Sequence, residues 1–97
     1  MVGGRQEVDR ESSERTREGV IEVLANTLDL DYEEFNREDV DERRLNEDLE
    51  MESIDYLDVN FKLERRFGYE YDFKFNGKGS SPTVRDLIDY VFEKLRE

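Results

Sequence analysis

Ser53 stands where a polar run meets an amphipathic one, in Asp48-Leu49-Glu50-Met51-Glu52-Ser53-Ile54-Asp55-Tyr56-Leu57-Asp58. A serine at the first turn of a helix can cap it or offer an exposed hydroxyl to a modifying enzyme. Nothing else in the chain equips it to act as a catalytic nucleophile. There is no histidine and no cysteine, which removes the commonest general base, the commonest transition-metal ligand and all thiol and disulfide chemistry. Carboxylates are plentiful, yet no pair stands in a recognisable acid/base constellation, so we read the chain as a non-enzyme. As a helix cap Ser53 is unremarkably placed, because Tyr56 occupies the position where a capping box needs Glu or Gln.

No metal site is expected either. Asp29, Asp31 and Glu33 echo the start of a calcium-binding loop, but Glu34 stands where that loop requires glycine and Val40 where it requires a bidentate glutamate. The glycines of Gly77-Lys78-Gly79-Ser80 lack the spacing and the preceding strand of a phosphate-binding loop.

Three helices must position Ser53. Ile21, Leu24, Ala25 and Leu28, with Val20 and Val23 beside them, predict a first helix over about 10–28, buried mainly through its second half. The second, about 53–67, has two apolar faces. Tyr56, Val59, Leu63 and Phe67 share one, and Ile54, Leu57 and Phe61 share a roughly opposite one. Asp55, Asp58, Lys62, Arg65 and Arg66 fill one flank between them. A small domain buries one such stripe and leaves the other for partners, unless a surrounding bundle covers both. Gly68 suits the C-cap. The third helix, about 83–95, starts with Thr83 and Asp86 in capping-box spacing and is apolar through Val84, Leu87, Ile88, Val91, Phe92 and Leu95.

Two long connections remain. Residues 29–52 are acidic, anchored by Tyr32, Phe35, Val40, Leu45 and Leu49, with a helical turn expected near Tyr32–Phe35. Residues 69–75 alternate aromatic and charged side chains and end at the turn dipeptide Asn76-Gly77. No second strand follows, so an extended aromatic strip packed on helices is expected rather than a sheet. The fold class is therefore all-α, with residues 1–8 a flexible lead-in, 9–97 a single domain, and a short or irregular third element over about 69–81.

The chain carries 27 Asp and Glu against 15 Lys and Arg, a formal charge of −12 in 97 residues. Such a surface repels nucleic acid and anionic membranes and favours basic protein partners. No apolar run is long enough to span a bilayer, and the N-terminus lacks the apolar core of a signal peptide. A cytoplasmic protein without membrane insertion is the expectation.

The segment 48–67, an Asp-Leu-x-x-acid-Ser-aliphatic-Asp-x-aliphatic-acid pattern on a helix ending Arg66-Phe67-Gly68, resembles the acyl carrier protein family of phosphopantetheine-binding carrier domains. Phe67-Gly68-Tyr69-Glu70-Tyr71 stands in place of the family's Phe-x-Ile-x-Ile. Thr83-Val84-Arg85-Asp86-Leu87-Ile88-Asp89-Tyr90-Val91 is similar to its Thr-Val-x-x-aliphatic-Ile-Asp-Tyr-Ile ending. The resemblance covers about residues 10–95. It implies an acyl-carrier-like helical bundle with no catalysis of its own. It also implies 4'-phosphopantetheine attached at Ser53 from coenzyme A by a separate phosphopantetheinyl transferase, and acyl groups held as thioesters in fatty-acid, polyketide or specialised lipid biosynthesis. Helix-terminal amides favour a phosphate at that position.

By the same resemblance, acyl-processing enzymes with basic patches would meet Glu52, Asp55, Asp58 and Glu64, with Ile54, Leu57 and Phe61 as apolar contacts. Val59, Leu63 and Phe67 would line an acyl-chain core, and a monomer is expected. The chain departs from the family in Glu52 for aspartate, Glu50-Met51 for small residues, Arg65-Arg66 on the recognition helix, and a longer first loop. Its aromatic load is also heavy. Together these point to a specialised carrier. The alternative expectation is a carrier-like helical module that binds a protein partner without phosphopantetheinylation.

Overall fold

The computed structural model describes residues 2–96, with side chains from residue 13 onward. Four α-helices carry the described chain: α1 (Val2–Leu28), α2 (Tyr32–Phe35), α3 (Ser53–Phe67) and α4 (Val84–Arg96). A 3₁₀ turn spans Val40–Glu42, and there is no β-strand among the described residues. The class is all-α. Helix α1 begins at Val2, well before the expected start near residue 10, so residues 2–8 of the expected lead-in lie within this helix, and Met1 lies outside the described residues.

Helix α1 packs on both α3 and α4 through its second half, burying Val20, Ile21, Val23, Leu24 and Ala25. Gly19 permits the close approach of α3. A Cβ there would stand 2.5 Å from Phe67 Cζ and 2.8 Å from Arg66 Nε. The helix ends with Asp29 in the left-handed region (φ 58°), and Leu30 donates its N–H back to the Ala25 carbonyl at 2.8 Å. Asp31 then caps α2, its carboxylate accepting from the Glu33 and Glu34 amides at 2.9 and 3.2 Å. That cap is the role of one acid in the discarded calcium echo.

The long connection 29–52 is not loose. Phe35, Val40, Leu45 and Met51 are buried in the common core, and Tyr32 and Leu49 pack against it. Arg44 and Thr83 form an isolated antiparallel bridge, with Leu45 N–H donating to the Pro82 carbonyl at 2.8 Å and Val84 N–H to the Arg43 carbonyl at 2.9 Å. Ser81, fully buried, accepts from the Asn46 amide at 3.1 Å through its hydroxyl, and its carbonyl accepts from Arg44 Nη1 at 2.6 Å. Thr83 and Asp86 close the capping box of α4 at 2.9 and 3.2 Å.

The strip 69–75 keeps its period of two without a strand partner. Tyr71 is buried and Phe73 and Phe75 are half-buried, while Glu70, Asp72 and Lys74 are exposed or nearly so. The strip bridges α3 and α4. Phe73 stacks on Tyr56 of α3 (centroids 6.3 Å apart) and tilts against Tyr90 of α4 (5.1 Å), with Tyr71 edge-on to Tyr90 at 6.1 Å.

Candidate functional site

Ser53 is exposed at the first residue of α3, and Glu52, not Ser53, is the N-cap. Glu52 has extended backbone angles, and its N–H donates to Asp55 Oδ2 at 2.8 Å, the return half of a capping box. The capping partner missing for Ser53 is thus present one residue earlier, as Glu52 and Asp55. The Ser53 hydroxyl takes part in none of the described hydrogen bonds. The turn before it is tight. Glu50 sits in the left-handed region (φ 57°), where glycine is favoured, and Met51 fills the core at 3% exposure.

Ser53 opens onto a groove of about 530 Å³ between α3 and the aromatic strip. Leu57, Phe61 and Glu64 line it from the helix, Tyr71, Phe73 and Phe75 from the strip, and Asn46 from the first loop. Two side chains clamp the strip in place. Asn60 donates Nδ2–H to the Phe73 carbonyl at 2.8 Å and accepts the Phe73 N–H on Oδ1 at 3.0 Å. From α4, the Tyr90 hydroxyl accepts the Asp72 N–H at 3.0 Å and donates to Asp72 Oδ1 at 2.7 Å. That hydroxyl holds the Asp72 carboxyl below its usual range. Tyr56 closes the floor, donating its hydroxyl to Asn46 Oδ1, and burial pushes that hydroxyl up to about 12.

The two faces of α3 separate as their spacing predicted. Tyr56, Val59 and Leu63 are buried and Phe67 is half-buried, whereas Ile54, Leu57 and Phe61 remain 71%, 70% and 56% exposed. Among the described residues no surrounding bundle covers the second face. Val59, Leu63 and Phe67 do not line the groove. The first two are enclosed in close-packed core, so the cleft beside Ser53 is built instead from Leu57, Phe61 and the strip.

The acids expected to face partners are partly engaged within the chain. Asp55 caps its own helix, Asp58 pairs with Lys62 at 3.1 Å, and Glu52 and Glu64 are exposed. Arg65 lies over the Phe61 ring at 5.7 Å, and Arg66 pairs with Glu22 at 2.8 Å. The basic end of the helix is therefore tied to neighbouring side chains.

Sequence reading missed Asn46, Asn60 and Tyr90 as builders of the site. Asparagine is a weak helix former, so Asn60 in mid-helix, one turn after Tyr56, was the available signal of a tertiary duty. Among the described residues no cluster of three or more acidic, histidine or cysteine side chains could hold a metal ion, and no helix is long and apolar enough to cross a membrane. No family model, no curated protein and no solved structure matches the chain.

Proposed function

We propose that the protein is an acyl carrier, bearing 4'-phosphopantetheine on Ser53 and presenting acyl thioesters to partner enzymes. One observation carries this reading: an exposed serine hydroxyl, free of any capping duty among the described bonds, opens a groove with an aromatic wall at a helix N-terminus. The residues present fit the group. The first-turn amides of α3 suit a phosphodiester, and a groove of about 530 Å³ can shelter an arm and its cargo. Glu52 and Asp55 oppose the added negative charge and offset part of that gain.

Attachment requires coenzyme A and a transferase. The Ser53 oxygen bonds to the pantetheine-side phosphorus, the pyrophosphate linkage breaks, adenosine bisphosphate leaves, and the serine proton passes to a base of the transferase. The arm supplies a thiol, which a chain without cysteine cannot otherwise offer. The chain's own part is to hold Ser53 exposed, to shelter the cargo against the strip, and to present Ile54, Leu57 and Phe61 to partners with basic docking patches.

The test is intact mass after incubation with coenzyme A, magnesium and a broad-specificity phosphopantetheinyl transferase. The expected result is one phosphopantetheine added to wild type and none to Ser53→Ala. No gain on wild type, or an equal gain on both, refutes the proposal.

The exposed apolar triad favours a second reading, a module that binds a protein partner without the arm. It requires binding that survives Ser53→Ala and is lost in Leu57→Glu or Phe61→Glu. At 70% exposure Leu57 contributes little to the fold, so Leu57→Glu should change stability by less than about 0.5 kcal/mol.

A further inference from the structure

The bare side of α3 carries charge as well as apolar surface, and the charge is ordered along it. Ile54, Leu57 and Phe61 form the exposed stripe. At about 100° per residue, Asp58 and Arg65 fall within about 20° of one another on one flank of that stripe. They are two turns apart, about 10 Å along the axis, with Phe61 between them. Asp58 offers only its Oδ2 to Lys62, at 3.1 Å in a half-exposed pair of little worth, and its Oδ1 takes part in no described bond. Arg65 is exposed, lies over the Phe61 ring at 5.7 Å, and has no carboxylate partner among the described residues.

A stripe with a carboxylate towards one end and an unmatched guanidinium towards the other is complementary to its own antiparallel image. We propose that this face of α3 is a self-association surface, on which two copies of the chain pair antiparallel about a two-fold axis beside residues 61–62. In that register Asp58 of each copy faces Arg65 of the other, one ion pair made twice. The two Phe61 rings meet in the middle, with Leu57 and Ile54 beside them. Charge complementarity selects this occupant. A uniformly basic surface opposes Arg65 and a uniformly acidic one opposes Asp58, whereas a second copy carries both charges in the required order.

The inference goes beyond the carrier reading, needs neither the arm nor Ser53, and departs from the monomer that the resemblance implies. A partner enzyme docking on Ile54, Leu57 and Phe61 competes with the second copy, so association hides that face until a partner displaces it. Three apolar side chains per copy and two surface ion pairs make a small interface. The dimer should therefore be weak, populated at hundreds of micromolar and mostly dissociated at a few.

The test is sedimentation equilibrium of the unmodified chain from roughly 10 µM to 1 mM. Salt is held at about 0.15 M, where charges more than about 8 Å apart are largely screened. The average mass should rise with concentration from one chain toward two. Arg65→Glu and Asp58→Arg should each weaken association at least about fivefold, because each sets like charges against one another twice across the axis. The double variant should return to within about twofold of wild type. Long-range repulsion cannot mimic this pattern: Arg65→Glu makes the chain more acidic and Asp58→Arg less so, while the double variant keeps the net charge of −12. Leu57→Glu should leave a monomer at every concentration. All of these side chains are exposed or half-exposed, and unchanged melting temperatures check that the variants fold. In a dilution series of wild type, the amide shifts that move should lie on α3 around Leu57, Phe61 and Arg65. A wild type that stays monomeric throughout, association that survives Leu57→Glu, or a double variant no tighter than the single ones overturns the inference. Whether Ser53 accepts phosphopantetheine is read separately by mass, so failure of that reading leaves this outcome untouched.

Discussion

Replacing Asn60 with alanine removes the α3 side of the strip's clamp. Two hydrogen bonds are lost, to the Phe73 carbonyl at 2.8 Å and from the Phe73 amide at 3.0 Å. At a net contribution of about 0.5–1.5 kcal/mol each, the pair is worth roughly 1–3 kcal/mol. Phe73 is half-buried, so its freed backbone groups can partly reach water, which places the expected loss near the lower half of that range. Alanine is also a better helix former than asparagine, and recovers up to about 0.7 kcal/mol in mid-helix. The net expectation is a loss of about 1 kcal/mol in urea unfolding, corresponding to a melting point lower by roughly 4–8 °C.

The local effect should exceed the global one. The Phe73 amide is held by a side chain, not by a ladder, so its hydrogen exchange should accelerate more than that of amides in α3. Asn60→Asp sharpens the test. One carboxylate oxygen still accepts from Phe73 N–H, but the other faces the Phe73 carbonyl and repels it. The aspartate variant should therefore be the less stable of the two at neutral pH, and should recover below about pH 4, where a protonated carboxyl can donate. Unchanged Phe73 exchange together with unchanged stability in Asn60→Ala would refute the idea that this side chain holds the groove wall.

Other outcomes follow from single residues. Glu50→Gly should stabilise the protein by about 1 kcal/mol in chemical denaturation, because it relieves a left-handed backbone at the turn into Ser53. Gly19→Val should cost about 1–3 kcal/mol, since even a Cβ there stands 2.5 Å from Phe67 Cζ, whereas Gly19→Ala should come out closer to neutral as helix propensity offsets the crowding. Tyr56 and Tyr71 are both raised by burial from 10.0 to about 12. The unfolded chain therefore ionises first, and stability present below pH 10 should fall as pH rises toward 12, less steeply in Tyr71→Phe. Asp72 is lowered by the Tyr90 hydroxyl, so its contribution is present above the ordinary carboxylate range and is lost as pH falls through the lowered value; Tyr90→Phe should remove that acid-side dependence in an unfolding titration.

Periodicity alone carried the helices. The two faces of α3, its bounds at 53 and 67, the Gly68 cap (φ 84°) and the Thr83–Asp86 capping box all depend on residues within a turn or two of one another. Such short-range patterns are written directly into the chain. The alternation of Tyr71, Phe73 and Phe75 likewise announced an extended strip with one buried edge. The early start of α1 was less legible, because its first residues include Gly3 and Gly4 and carry no apolar stripe.

What only the tertiary structure decided is which surfaces meet. The sequence could not say that Asn60 reaches Phe73, that Tyr90 reaches Asp72, or that residues 43–45 pair with 82–84, since each contact joins segments whose separation depends on the whole packing. Nor could it show that Glu52 takes the capping role and leaves the Ser53 hydroxyl outside the described bonds. Side-chain periodicity assigns a residue to a face; only the arrangement of the other elements determines whether that face is covered. Val59 and Leu63 are enclosed by α1 and the core, while Leu57 and Phe61 meet the strip across a cleft, and that difference decides on which side of α3 the cleft beside Ser53 lies.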